Sequence, residues 1–166
     1  MSTGDHAGLE TLLEDTVGPR IPDVNAIVPE IQAVAGALVK ATVNGSLPVT
    51  TVSLVYLRAG HLVGNTYQTI RHSTDLRKAG ESEERIASVA TWGDAPYFTE
   101  PERAALALTD AVFQPNPRGQ ERVPDDLFAV AAKHFDEKEL ATLLVVLAAA
   151  SFWMTVAMVL KPPVPA

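Results

Sequence analysis

The sequence of 166 residues contains no cysteine. A chain without thiols cannot form a disulfide, ligate zinc or an iron–sulfur cluster through sulfur, or use a thiolate as a nucleophile or redox centre. Aromatic residues are also sparse at 6%, and Lys and Arg together number 13 against 20 Asp and Glu. The resulting net charge of −7 repels a phosphate backbone, so we expect no nucleic-acid partner.

The N-terminal residues, MSTGDHAGLETLLED, lack both the basic and the apolar segment of a secretory signal, so we expect a cytoplasmic protein. A charge-free run from Leu140 to Leu160 is long enough to cross a bilayer. Its Thr and Ser residues, three consecutive alanines at 148–150 and the KPPVPA tail favour a buried helix of a soluble protein over a membrane anchor. We therefore expect no membrane partner.

The length matches one domain, because single hydrophobic cores are usually built from about 100–200 residues. We expect residues 1–166 to form that domain, with residues 1–20 as a mobile N-terminal extension. Hydrophobic residues make up 47% of the chain, and the mean hydropathy is +0.12. Since so small a core cannot hide this much apolar surface, a homo-oligomer is expected to bury the remainder.

Strand signals are nearly absent, because no Asn-Gly or Asp-Gly turn joins two alternating segments. Apolar residues recur instead at steps of three and four, which predicts an all-α domain. The predicted helices span about residues 26–43, 48–76, 82–91, 99–113 and 136–160. Two of them begin with sequences typical of capping boxes, Thr99 with Glu102 and Asp136 with Glu139.

The segment after Pro48 carries the residues that are able to do chemistry. If one helix runs to residue 76, its polar residues at helical spacing form a single stripe: Arg58, His61, Asn65, Gln68, His72 and Asp75. A solvated helix face with two ordinary histidines would give the same spacing. The neighbouring apolar residues disfavour a fully exposed stripe, whereas Gly60 and Gly64 could break the helix or allow a close backbone contact.

Two histidines on one helix face also suggest a metal site. His61 and His72 are eleven residues apart, however, and no ligand spacing such as His-Glu-x-x-His is present. Asp75 adds one carboxylate three residues after His72, but a catalytic zinc requires three close ligands. We therefore expect no metal and no other cofactor.

Two segments of the chain carry a family resemblance: SLVYLRAGHLVGNTYQTIRHSTDLRKAGESEERI and TWGDAPYFTEPERAALALTDAVF. Both resemble the carboxymuconolactone decarboxylase superfamily, which includes the alkylhydroperoxidase D-like proteins. With the terminal segment HFDEKELATLLVVLAAASFWM, the resemblance covers about residues 46–160. It implies an all-α bundle of about six to eight helices that assembles into trimers or hexamers, with a pocket near a subunit interface.

Peroxidase members of this superfamily carry a Glu followed by Cys-x-x-Cys-x-x-x-His. Aligned on His72, the two cysteine positions hold Asn65 and Gln68, and the Glu position holds Ser53. Neither amide can be deprotonated to a nucleophile or form a disulfide, so thiol-dependent peroxidase activity is excluded. The cysteine-free decarboxylase branch has Tyr-Glu-x-x-x-His, which resembles the segment from Tyr67 to His72 with Gln68 in place of Glu.

The residues that remain can move protons and hold an anion. The resemblance and the side-chain chemistry suggest these roles: His72 as general acid/base, His61 as a second titrating group, Tyr67 as a phenol donor, Asn65 and Gln68 as donors to a carbonyl or oxyanion, and Arg58 as a carboxylate-binding residue. This set suits cofactor-independent decarboxylation, isomerisation or cyclisation of an enolisable carboxylate or lactone. A family member that has lost catalysis and serves as a small-molecule binding protein or a structural oligomer is the alternative.

Overall fold

The computed structural model of the protein describes residues 19–117 and 119–164. Almost all of the predicted N-terminal extension, residues 1–18, lies outside these ranges. Within them the chain forms eight α-helices and one 3₁₀ turn, and no residue is in a β-strand. The prediction of an all-α bundle of six to eight helices is therefore confirmed.

The helices, numbered in chain order, are α1 Val24–Ile27, α2 Glu30–Thr42, α3 Val49–Val63, α4 Thr66–Lys78, α5 Glu83–Ser88, α6 Glu100–Phe113, α7 Asp125–Ala132 and α8 Glu137–Leu160. A 3₁₀ turn over Val89–Thr91 follows α5. Both predicted capping boxes are present, at the starts of α6 and α8. Each satisfies backbone N–H groups that would otherwise lack partners, which explains where these two helices begin.

Two helices that the sequence predicts as continuous are interrupted. The helix over residues 26–43 is divided at Val28-Pro29, because proline disfavours helical geometry in the residue before it. The helix over residues 48–76 is divided into α3 and α4. Gly64 ends α3 in the left-handed conformation with φ of 69°, and Asn65 then caps α4. The prediction of one helix from Pro48 to residue 76 is therefore wrong, and α4 folds back against α3.

The central helix is α3, which packs against α4, α6 and α8. Its Val55 and Ala59 contribute to a core shared with α6 and α8, whereas its Leu54 and Leu57 contribute to a second core with α4 and α5. All four side chains are at most 1% exposed. Each fully buried Leu contributes about 2 kcal/mol to the stability of the fold. This packing holds α3 in place, and α3 carries part of the site.

The last helix, α8, is the one helix among the described residues that is long and apolar enough to cross a membrane, judged by length and composition. It packs against α2 and α3, and its Val146, Ala149 and Ala150 are completely buried. Its apolar composition is therefore accounted for, in part, by its place in the core of the bundle.

Candidate functional site

A cavity of about 270 Å³ lies beside His72, between α2, α3, α4 and one residue of α8. Its apolar wall consists of four valines, Val39, Val43, Val49 and Val52, together with Trp153 of α8. Its polar wall consists of Thr42, Ser53, Tyr56, Gln68, Arg71, His72 and Asp75. Small-molecule sites in proteins combine an apolar lining with a few convergent polar groups, and this cavity has that character.

His72 is held by stacking. Its imidazole lies on the ring of Tyr56, with the ring centroids 4.6 Å apart and an angle of 18° between the planes. Its Nδ1 atom is buried and has no hydrogen-bond partner in the described chain, since Asp75 Oδ2 lies 3.6 Å away, beyond hydrogen-bond length. A buried ring nitrogen without a partner is unusual in a folded protein, and this one belongs to a residue that lines the cavity.

Burial controls the charge of both rings. It lowers the pKa of His72 to about 3, and the nearby positive charge of Arg71 acts in the same direction. Burial raises the pKa of Tyr56 to about 12, against opposing contributions from Arg71 and from polar contacts with Thr42 and Trp153. The cavity therefore presents a neutral imidazole and a neutral phenol at physiological pH.

Two of the positions aligned with the family motif reach this cavity together with His72. Ser53, at the position of the motif Glu, and Gln68, at the position of the second cysteine, are both buried and both line the cavity. The Gln68 amide donates a long hydrogen bond of 3.4 Å to the backbone carbonyl of Trp153, which orients it weakly. Both side chains are hydrogen-bonding groups that do not ionise in this pH range.

Asn65 and Tyr67 are placed differently. The Oδ1 atom of buried Asn65 accepts the backbone N–H of Gln68 at 3.0 Å, so this side chain serves as the N-cap of α4. Tyr67 and Asn65 line another, more open cavity of about 310 Å³ that Lys161 also borders. The structure therefore does not bring Tyr67 into the cavity that contains His72.

Arg58 is occupied by an ion pair. Its guanidinium donates to both carboxylate oxygens of Asp110, at 2.5 and 3.1 Å, and to the carbonyl of Ala90 at 2.7 Å. Asp110 also accepts a hydrogen bond from Trp92 Nε1 at 3.1 Å. This network ties α3 to α6 and to the 3₁₀ turn, and it lies outside the cavity at His72.

His61 is half-buried near Arg58, and burial together with that positive charge lowers its pKa. It does not line the cavity that contains His72. Among the described residues, no group of three or more His, Asp or Glu side chains is arranged to hold a metal ion.

Sequence reasoning missed Tyr56, Arg71 and Trp153 as cavity residues. Arg71 directly precedes His72, and this adjacency is the signal that could have found it. Tyr56 lies in an apolar stretch that is typical of a core, and Trp153 lies in the apolar terminal segment. Both reach the cavity through the fold of the bundle, which spacing along one helix does not show.

The model of the carboxymuconolactone decarboxylase family matches residues 29–111 of the chain. The chain belongs to this family. Over 127 residues it is 28% identical to YdfG, an uncharacterized protein of Bacillus subtilis (strain 168), and this match covers 76% of the chain and 84% of YdfG. The resemblance that the sequence predicts is therefore confirmed, and family membership here comes without any cysteine.

Solved structures show the same fold. A protein of unknown function from Agrobacterium tumefaciens, proposed to be the antioxidant defence protein AhpD, is 28% identical with a TM-score of 0.79. That match covers 89% of this chain and 99% of the other. The debrominase Bmp8, solved in complex with 2,3,4-tribromopyrrole, is 17% identical with a TM-score of 0.74 and coverages of 100% and 90%. At that identity the debrominase shows likeness of fold alone.

Proposed function

We propose that the protein is a cofactor-independent acid/base enzyme that acts on an enolisable carboxylate or lactone, with His72 as the proton-transfer residue. The observation that carries this proposal is the cavity in which a neutral imidazole offers a buried, unpartnered Nδ1 atom. Family membership supports a small-molecule site at this position, and the lack of cysteine leaves proton transfer as the chemistry that the residues present can perform.

In the proposed reaction, His72 accepts a proton from the carbon next to a carbonyl group, and the electron pair of that C–H bond moves onto the carbonyl oxygen. The amide of Gln68 and the hydroxyl of Ser53 are the nearby groups that can donate hydrogen bonds to the resulting enolate. The imidazolium then returns its proton to a different carbon, which completes an isomerisation. A decarboxylation forms the enolate by loss of CO₂ from the carboxylate, and the carbon then takes its proton from solvent water, because the neutral His72 imidazole carries no extra proton to give.

Binding without turnover is the second candidate function. Ser53 and Gln68 occupy two positions of the motif with groups that form hydrogen bonds but transfer no proton. The cap formed by Asn65 likewise has a structural role. These residues would suit a protein that retains a ligand cavity after losing catalysis.

The two functions are separated by following both binding and proton transfer. A thermal-shift screen with unsaturated lactones and keto acids identifies ligands, because a ligand that binds only the folded state raises its stability. For each ligand found, ¹H NMR in D₂O then follows exchange of the enolisable proton. We expect wild type and the control His134→Gln, which lies outside the cavity, to catalyse this exchange. We expect His72→Gln to lose it by about 100-fold or more.

Stabilisation without any catalysed exchange would favour the binding function. Exchange that survives in His72→Gln at the wild-type rate would remove His72 from the mechanism. A screen in which no lactone or keto acid stabilises the protein would contradict both functions.

A further inference from the structure

Arg71 differs from the other arginines of the described chain. Each of the other six donates hydrogen bonds to a carboxylate or to a backbone carbonyl. Arg71 makes neither a hydrogen bond nor an ion pair with any residue that the structure describes, although Asp75 follows it by one helical turn. Arg71 is exposed, so its guanidinium is not held by the protein and is free to meet an anion that enters the cavity.

Arg71 is also placed where a ligand would meet it. Its side chain lines the cavity with His72, and its charge acts on two rings that belong to different helices, His72 on α4 and Tyr56 on α3. A single cation that influences both rings lies on the side of α4 that faces the cavity. Arg58, the arginine that the sequence favours as a carboxylate-binding residue, already donates from Nε and Nη2 to Asp110 and from Nη1 to the carbonyl of Ala90.

We propose that Arg71 binds the carboxylate of a small monoanionic ligand whose apolar body fills the valine-lined part of the cavity. A guanidinium recognises a carboxylate through two parallel hydrogen bonds, and these are stronger than bonds between neutral groups. The four valines and Trp153 supply contacts for the hydrocarbon body. At about 270 Å³, the cavity lies near the lower end of small-molecule sites, which are usually about 300–1,000 Å³.

Asp75 sets the charge selectivity. Its carboxylate lines the same cavity, 3.6 Å from Nδ1 of His72. A ligand with a second carboxylate would bring that charge toward Asp75, and two like charges at short range repel each other. The site is therefore selective for one negative charge. This inference rests on the proposed function in that both use the same cavity, but it concerns recognition and not proton transfer.

Isothermal titration calorimetry with three probes of similar shape tests the assignment: benzoate, neutral benzamide and the dianion phthalate. The variants are Arg71→Gln and, as the matched control, Arg77→Gln. Arg77 lies on the same helix, pairs with Glu83 at the surface and does not line the cavity, so both variants remove one positive charge from α4. We expect benzoate to bind wild type and Arg77→Gln alike. Its affinity for Arg71→Gln should fall by about tenfold or more, as the loss of a charge-assisted pair requires.

Wild type should also bind benzamide and phthalate more weakly than benzoate, and Asp75→Asn should recover phthalate binding. Equal benzoate affinity in wild type and Arg71→Gln, with helical circular dichroism unchanged, would overturn the role of Arg71. Equal affinity for benzoate and benzamide, or no binding of benzoate at millimolar concentration, would overturn it as well. Proton exchange of a neutral lactone still tests His72 independently, so failure of this inference is distinguishable from failure of the proposed function.

Discussion

At the scale of single residues, the environment of His72 decides what the residue can do. An imidazole in water has a pKa of about 6.5 and is partly charged near neutral pH. In this cavity, burial against Tyr56 and the charge of Arg71 hold the imidazole neutral. The ring nitrogen that carries no hydrogen therefore has a free lone pair at neutral pH, but a pKa of about 3 makes His72 a weaker base than a solvated imidazole.

The low pKa of His72 predicts a loss of stability on mild acidification. The folded protein keeps His72 neutral down to about pH 3, whereas the unfolded chain protonates it near pH 6.5, so the unfolded state binds more protons as the pH falls below 6.5. The free energy of unfolding should therefore decrease by up to about 1.4 kcal/mol per pH unit through this group. Urea unfolding between pH 6.5 and 5, before most carboxylates titrate, measures the effect.

His72→Gln should remove most of that slope. His61, whose pKa is also lowered, contributes in the same direction, so His61→Gln should reduce the slope as well. An equal pH dependence in wild type and His72→Gln would show that His72 titrates as a free imidazole.

The sequence predicts part of the site and misses the rest for a physical reason. The spacing of the family motif predicts that Ser53, Gln68 and His72 lie together, because the residues of that motif share one site in proteins with this fold. All three line the cavity. Tyr56 enters the site only through the turn between α3 and α4, whereas Arg71 lies beside His72 on α4 itself. Helical periodicity along one uninterrupted helix cannot show contacts that depend on such a turn.

At the scale of helices, two glycines build that turn in different ways. Gly64 adopts a left-handed φ of 69°, which other residues rarely adopt, and it ends α3. Gly60 permits the close approach of α4: a Cβ atom on Gly60 would lie 3.0 Å from Thr69 Oγ1 and 3.3 Å from its backbone nitrogen. From the sequence, either glycine could break a helix or allow a close backbone contact. In the structure Gly64 ends α3, and Gly60 allows α4 to pack closely against α3.

The close contact at Gly60 predicts opposite effects of one substitution at two sites. Gly36 lies inside α2 with open space around it, so Gly36→Ala should stabilise the protein by up to about 1 kcal/mol through helix propensity. Gly60→Ala should instead destabilise it by about 1–3 kcal/mol, because the added methyl group meets Thr69. Chemical denaturation of both variants measures the difference. A gain in stability for Gly60→Ala equal to that of Gly36→Ala would contradict the close packing of α3 and α4.

At the scale of the whole molecule, the chain exposes several large apolar side chains. Ile27 is 68% exposed, Leu144 is 67% exposed and Val49 is 60% exposed. The composition alone leads to the expectation of surplus apolar surface, and the structure shows where that surface lies: on α8, near α1 and at the rim of the cavity. A second copy of the chain could bury apolar side chains that are exposed to this extent.

We propose that Leu144 lies in an interface between copies of the chain. Sedimentation velocity should then show wild type as a species well above the monomer mass of 17.7 kDa. Leu144→Lys should shift it toward that mass, because a buried charge without a partner is costly at an apolar interface. Gln120→Lys, which adds the same charge in an exposed loop, should leave the assembly unchanged. A wild-type monomer at micromolar concentration would contradict the proposal.

The two tryptophans of the chain stand in separate surroundings. Trp153 borders the cavity and packs edge-on against Phe152, whereas Trp92 donates its indole N–H to Asp110 in the ion-pair network of α3 and α6. Indole emission depends on local polarity and on nearby quenching groups. The protein thus contains a fluorophore at the cavity and a second one away from it, and replacing Trp92 with Phe isolates an optical signal that reports occupancy of the cavity without any added label.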